Sequence, residues 1–142
     1  MGEAPESGAS AGGPAREPGP AVGALLVVLR SPGWDARFEA TALAVTAASL
    51  GERVVVALFG GALREFAEGR FDDGAPASGS PVGPLSRMLD EGRRGLGVEV
   101  VACETAIRAA GLEPAAVRPV LDAIRSLPEI WQHARGGRVL AV

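Results

Sequence analysis

The chain has 142 residues, a formal net charge of −3 at pH 7, one cysteine, one histidine and no tyrosine, and all 14 of its basic residues are arginine. One cysteine and one histidine can form neither an internal disulfide nor a four-ligand zinc site, and the lack of lysine and tyrosine excludes a lysine Schiff base, a phosphate-loop lysine and a tyrosine general acid. We therefore expect one small domain without metal or cofactor, and the slightly negative charge without a basic run disfavours nucleic acid as a partner.

The first 22 residues differ in composition from the rest of the chain. They are rich in Gly, Ala, Pro, Ser and Glu, and no large apolar residue lies between Met1 and Val22. Such a segment cannot bury enough surface to offset the entropy lost on ordering it. We therefore predict a disordered tail over residues 1–22 and a folded domain over residues 23–142.

The folded part is predicted to open with a βαβ unit. Continuous apolar runs at 24–29 and 54–59 are typical of strands buried on both faces. Between them, residues 37–50 are predicted to form a helix, which Asp35 is placed to cap and Gly51 to end. The apolar side of this helix is expected to comprise Phe38, Ala42, Val45 and Leu50.

The remaining sequence continues the alternation of strands and helices. The predicted strands alternate with helices, and every predicted strand is apolar. This pattern predicts an α/β domain in which a doubly wound, mainly parallel sheet has helices on both faces. The predicted elements are a short helix in ALREFAEG after Gly61, a loop rich in Pro and Gly at 70–84, helices at 85–94 and 105–110, further helical pieces at 117–124 and 128–134, and strands at 98–102 and 138–142.

Cys103 is the candidate nucleophile because it directly follows the third predicted strand. Open parallel sheets bind ligands beyond the carboxyl ends of their strands. At the start of the next helix, unpaired backbone N–H groups and the helix dipole stabilise a thiolate. Glu104 would oppose thiolate formation if its carboxylate pointed toward the sulfur. A lone cysteine is also typical of an inert core position, so that alternative stays open.

Weaker candidates for substrate binding lie in the loops that follow the predicted strands at the same edge of the sheet. A glycine pair after a strand lets the backbone approach an anion, although a tight strand-to-helix turn explains the pair equally well and no phosphate-binding glycine motif is present. The expected substrate contacts are Ser31, Gly60, Gly61, Glu104 and Thr105.

We interpret the single histidine and the two tryptophans as structural residues. His133 lies in a late predicted helix and can serve as a catalytic partner only if packing brings it to Cys103. Trp34 and Trp131 are expected in the core or in subunit contacts.

The segment LGVEVVACETAIRAAGL at 96–112 resembles the cysteine segment of the DsrE/DsrF-like sulfur-relay family, which includes YchN-like and TusD-like proteins. In that pattern a Gly-Val pair begins a strand, a cysteine ends it, and a short helix closes at Gly-Leu. The opening βαβ unit also fits, so the resemblance covers residues 24–142. It implies a doubly wound α/β fold, trimers or hexamers, and a cysteine that carries sulfane sulfur as a persulfide. Only Cys103 carries over as a functional residue.

Three functions are compatible with the sequence. The first is a sulfur carrier that receives sulfur from a donor protein on Cys103 and passes it to an acceptor thiol. The alternatives are a non-catalytic oligomeric protein that binds a small ligand or a partner, and a thiol redox sensor. No apolar run approaches the length of a membrane span and the first residues do not resemble a signal peptide, so we expect a cytoplasmic protein without a membrane partner.

Deletion of residues 1–22 is expected to leave the melting temperature within about 2 °C of that of the full chain, because this segment offers no apolar surface to a core. Thermal unfolding followed by circular dichroism measures the difference. A loss of several degrees would mean that the segment docks on the domain.

Overall fold

The computed structural model describes residues 24–142, so the tail predicted over residues 1–22 lies outside the described residues. All strands of the described part belong to one parallel sheet, which confirms the predicted α/β class. The strands are β1 (Leu25–Leu29), β2 (Val54–Leu58), β3 (Glu99–Ala102), β4 (Ala123–Ile124) and β5 (Arg138–Ala141), in the spatial order β4-β3-β2-β1-β5.

Six α-helices and one short 3₁₀ turn connect these strands within residues 24–142. Five of the predicted helices are confirmed to within a few residues. The helices are α1 (Trp34–Ser49), α2 (Gly60–Ala67), α3 (Leu85–Gly95), α4 (Glu104–Ala109), α5 (Pro114–Val117) and α6 (Leu127–Gln132), with the 3₁₀ turn at Arg118–Val120.

The order of the strands decides which face of the sheet each helix covers. From β1 to β4 the chain steps across the sheet in one direction, and from β4 to β5 it returns past β1 to the other edge. Because parallel crossovers are right-handed, α1 to α5 cover one face and α6 covers the other. The doubly wound prediction is confirmed, but in the described part of the chain the second face carries only a six-residue helix.

The buried side of α1 differs from the predicted one. The helix packs on the sheet through small side chains, whereas Leu50 is 76% exposed. Phe38 lies on the flank and stacks on Trp34, with 5.2 Å between ring centroids. Val45 contacts α3 at Gly92, where a Cβ atom would lie 3.0 Å from the valine methyl group. Small residues prevail on this side because helix, sheet and α3 meet at close range. Apart from Arg37, the buried residues of α1 are Ala40, Thr41, Ala44, Ala47 and Ala48.

The start of α1 also differs from prediction. Gly33 occupies the N-cap position, and Asp35 lies in the first helical turn without capping it. There the carboxylate still faces the positive end of the helix dipole, which accounts for an acidic residue at this place in the sequence.

The predicted helix over residues 117–124 is wrong, and the edge strand β4 takes its place. α5 ends at Val117, and the chain passes through a 3₁₀ turn into β4. Asp122 explains the change: its carboxylate accepts a hydrogen bond from the Val100 N–H at 2.7 Å, and its own N–H donates to the Val100 carbonyl at 2.9 Å. Arg93 holds the same carboxylate through two hydrogen bonds of 3.0 Å. These hydrogen bonds hold Asp122, and with it the start of β4, beside β3.

The long segment between α2 and α3 contains neither helix nor strand, as predicted for residues 70–84. A buried guanidinium holds it: Arg37, 3% exposed, donates to the backbone carbonyls of Pro32, Arg70, Phe71 and Asp73. Since three of these four carbonyl groups belong to the segment, Arg37 connects it to α1.

Arg37→Met is expected to lower the free energy of unfolding by about 3 kcal/mol, because charge-assisted hydrogen bonds are lost and the freed carbonyls stay partly covered. Urea denaturation measures the change. Arg94→Met, at an exposed position of α3, is the matched control and should change stability by less than about 0.5 kcal/mol. Equal effects of the two substitutions would contradict the role assigned to Arg37.

Candidate functional site

Cys103 caps the amino end of α4 at the carboxyl edge of the sheet. Its sulfur accepts a hydrogen bond from the Ala106 N–H at 3.3 Å, and its carbonyl accepts one from the Ile107 N–H at 3.0 Å. The sulfur therefore occupies the place that a serine or aspartate oxygen usually takes at a helix N-cap. The side chain is 5% exposed.

A cleft of about 660 Å³ lies beside this sulfur. Its volume falls within the range of small-molecule sites. Its walls come from the ends of three neighbouring strands and from the start of α6, and most of its lining is apolar. The residues that line it are Phe59, Cys103, Glu104, Thr105, Ala106, Ala109, Ile124, Arg125, Ser126, Leu127 and Pro128.

The two charged side chains that line the cleft, Glu104 and Arg125, each have a partner of opposite charge. Arg108 donates to the Glu104 carboxylate at 2.8 Å, one turn further along α4. Arg125 donates to the Glu99 carboxylate at 2.5 Å. The hydrogen bond to Glu104 also raises the pKa of Arg108. Because the Glu104 charge is offset by Arg108, its repulsion of a thiolate at Cys103 is weakened.

The residues at the start of α6 line the cleft and form a capping box. The Ser126 hydroxyl accepts from the Glu129 N–H at 3.3 Å, and the Glu129 carboxylate accepts from the Ser126 N–H at 2.8 Å. These bonds to Ser126 lower the pKa of Glu129. The reciprocal pair fixes the start of α6 and with it Leu127 and Pro128, which line the cleft.

The structure brings three of the residues predicted for the site together and leaves three apart. Cys103, Glu104 and Thr105 line the cleft. The other three sit at the same sheet edge but outside the cleft, in contacts between neighbouring loops; they are Ser31, Gly60 and Gly61.

The glycine pair makes a tight turn into α2. Gly60 has a φ of +53°, which a residue with a side chain rarely adopts. A Cβ atom at Gly61 would lie 2.8 Å from the Pro32 side chain, so the absence of a side chain permits the two loops to pack. Ser31 donates its N–H to the Val142 carbonyl at 3.4 Å in the same group of loops.

His133 lies away from the cysteine, at the amino edge of the sheet. It lines a second cavity of about 340 Å³ together with Arg53 and Glu99, which precede β2 and begin β3. α6 therefore starts at the Cys103 cleft and ends near the opposite edge. This placement does not bring His133 to the sulfur as a general base.

Sequence reasoning missed the part of the cleft that follows β4. Ile124, Arg125, Ser126, Leu127 and Pro128 join the site because β4 runs parallel to β3 and ends at the same edge. A two-residue strand has no periodic signature, so the loop after it could not be assigned to the carboxyl edge. The pattern Ser-x-x-Glu at 126–129 was the available signal for the start of α6.

Within residues 24–142, no group of three or more His, Cys, Asp or Glu side chains is arranged to hold a metal ion. In the same part of the chain, none of the helices combines the length and the apolar character that crossing a membrane requires.

Comparison with known proteins finds similarity at the level of three-dimensional structure. No family model matches the chain, and no curated protein matches its sequence. Among solved structures, the chain is similar to the crystal structure of the YchN protein from E. coli, with a TM-score of 0.60 and 18% sequence identity. The match covers 85% of this chain and 100% of the YchN chain. At this identity the likeness shows a shared α/β fold.

Proposed function

We propose that this protein is a sulfur carrier, in which Cys103 accepts sulfane sulfur as a persulfide and passes it to an acceptor thiol. The observation that carries the proposal is the placement of the cysteine as a helix N-cap on the wall of a ligand-sized cleft. The resemblance of residues 96–112 to the DsrE/DsrF-like cysteine segment and the fold likeness to YchN support it.

The transfer consists of two thiol–persulfide exchanges. The Cys103 thiolate attacks the outer sulfur of a donor persulfide; a new S–S bond forms, the donor S–S bond breaks, and the donor leaves as a thiolate. An acceptor thiolate then attacks the outer sulfur on Cys103, and the Cys103 thiolate is the leaving group. Electrons balance in each step, so no oxidant or reductant is consumed.

The Ala106 N–H is the group that assists both exchanges. Cys103 is an anion at the start of the first exchange and again at the end of the second, and the hydrogen bond from Ala106 stabilises this anion. Since the donor is a backbone group of α4, its position does not depend on a side-chain rotamer.

Burial of Cys103 is compatible with delivery of sulfur. A persulfide bond of about 2.05 Å carries the outer sulfur beyond Sγ and into the cleft. The apolar lining from Phe59, Ile124 and Leu127 limits water around the outer sulfur. A partner thiol therefore needs to reach the outer sulfur rather than the buried one.

The same lining favours the alternative function, a non-catalytic protein that holds a small apolar ligand or a partner's tail. In that case the sulfur would serve only as the cap of α4. A thiol redox sensor is the other alternative, and it would respond to peroxide rather than to a persulfide.

Incubation with a small-molecule persulfide is expected to add about 32 Da to the protein, the mass of one sulfur atom retained on Cys103. Intact-mass spectrometry measures the gain. Cys103→Ser should fold, because serine is a good N-cap, and should gain nothing. Alkylation of the native protein by iodoacetamide provides an independent measure of access to the sulfur.

The results of these two measurements distinguish a sulfur carrier from the alternative functions. If Cys103 reacts only after denaturation, it is a core residue and the carrier mechanism fails. If it is alkylated in the native protein but never retains sulfur, the binding protein or the redox sensor is favoured, and oxidation by peroxide distinguishes these two.

We also propose that the protein is a homo-oligomer, for which the resemblance implies trimers or hexamers. The outer side of α6 supports this: Leu127 and Trp131, four residues apart, are both exposed, Trp131 to 63%. Val139 of β5 is exposed as well and lies on the sheet face that α6 covers. Exposed apolar side chains grouped on the thinly covered face are typical of a subunit contact.

Light scattering at micromolar concentration is expected to give a mass of at least two chains of 14.4 kDa. Trp131→Arg should reduce that mass, because it places a charge in the contact. Leu50→Arg, at an exposed site on the other side of the sheet, is the matched control and should leave the mass unchanged. A monomeric wild-type protein would remove the proposal.

A further inference from the structure

The edge strand β5 leaves one side of its backbone open. Within residues 24–142, β1 is the strand that pairs with it. The N–H groups of Arg138 and Val142 point inward and donate to carbonyl groups of the segment that contains β1. Because backbone groups alternate in direction along a strand, the N–H and C=O groups of Val139 and Ala141 point outward. Both residues can therefore pair with a further strand.

The sequence of β5 does not protect this edge. Edge strands commonly carry a proline or a charged residue that prevents pairing with another chain. Residues 139–142 contain neither, Val139 is 47% exposed, and Ala141 is exposed as well. At the opposite edge, β4 contributes two residues and offers little backbone for pairing. Of the two edges of the described sheet, β5 is the one suited to accept a strand.

The arrangement of the outward groups favours a second copy of the same strand. A rotation of 180° about an axis perpendicular to the sheet at Leu140 places two β5 strands side by side and antiparallel. Val139 of each copy then lies opposite Ala141 of the other, and each pair exchanges two N–H···O=C hydrogen bonds. The larger and the smaller side chain lie beside each other on the same face of the sheet. The edge is thus complementary to itself, as a twofold contact requires.

We propose that two copies of the chain associate through antiparallel pairing of their β5 strands, with Leu140 at the twofold axis. The two five-stranded sheets then form one continuous sheet. The rotation preserves the faces, so α6 of both copies lies on the same side of the joined sheet, together with the exposed Val139. The contact rests on the homo-oligomer proposed above and specifies one of its interfaces. It does not involve Cys103 and is independent of the sulfur-carrier proposal.

Disulfide cross-linking tests the contact on the full chain. The variants carry Cys103→Ser, which removes the one native cysteine. Leu140→Cys places two Cα atoms opposite each other in a non-hydrogen-bonded pair, about 4.5 Å apart, which is within disulfide range. Oxidation with diamide should therefore yield a linked dimer on a non-reducing gel. Leu50→Cys, 76% exposed at the end of α1, is the control for random collision and should yield little dimer.

Two further cysteine variants test the register. Val139→Cys alone and Ala141→Cys alone should form little dimer, because residues of the same number then lie diagonally, about 7–8 Å apart. An equimolar mixture of the two should form the linked dimer, since these positions lie opposite each other, about 5.5 Å apart.

Ala141→Pro removes an outward N–H group and places the proline ring where the second strand would lie. The pairing of β5 with β1 does not use this N–H group, so the domain should stay folded, which circular dichroism verifies. Added to Leu140→Cys, the substitution should abolish the linked dimer.

Four results would overturn the proposal. The first is no more dimer from Leu140→Cys than from Leu50→Cys; if light scattering still shows an oligomer, the contact proposed at α6 is unaffected. The second is equal cross-linking of Val139→Cys and Leu140→Cys, which would exclude a fixed register. The third is a dimer that persists in folded Ala141→Pro. The fourth is cross-linking only after deletion of residues 1–22, which would mean that this segment occupies the edge in the full chain.

Discussion

In a parallel sheet, every connection must return the chain from the carboxyl end of one strand to the amino end of the next, and right-handed crossovers decide where the connecting helix lies. Here three crossovers in one direction place five helices on one face. The return from β4 to β5 places α6 on the other. Both cavities depend on this reversal, because α6 begins at the Cys103 cleft and ends at the cavity lined by His133. The exposed apolar residues of α6 depend on it as well, because α6 covers the second face of the sheet.

The position of the cleft within the sheet is unusual for this class of fold. Doubly wound sheets generally bind ligands where the strand order reverses, which is between β1 and β5 in this chain. There the N–H groups of Arg30 and Ser31 both donate to the Val142 carbonyl, which continues the pairing of the two chain segments beyond the ends of β1 and β5. The Cys103 cleft lies instead beside the edge strand β4, which is too short to shield the end of β3.

The parts of the fold that follow from local pattern could be predicted from the sequence. β1 and β2 are continuous apolar runs, and burial on both faces produces such runs. Cys103 could be placed at the carboxyl edge for the same reason, because the strand before it was evident. The residues that face Cys103 could not be found, since their place depends on the pairing of β4 with β3. That pairing rests on Asp122, a single polar residue whose partners are distant in the chain. The buried side of α1 was also missed, because close packing against α3 selects size rather than hydrophobicity.

The shortness of β4 and α6 has a consequence for the chemistry at the carboxyl edge. Segments with few ladder hydrogen bonds and little buried apolar surface open at a lower free energy than the protein as a whole. β4 contributes two residues to the sheet, and α6 is six residues long. We therefore expect this wall of the cleft to open locally at a lower free energy than β3, which is paired on both sides and is followed by the cysteine. Access to the almost fully covered Sγ atom then depends on how often this wall opens, and amide exchange in residues 123–132 measures that opening.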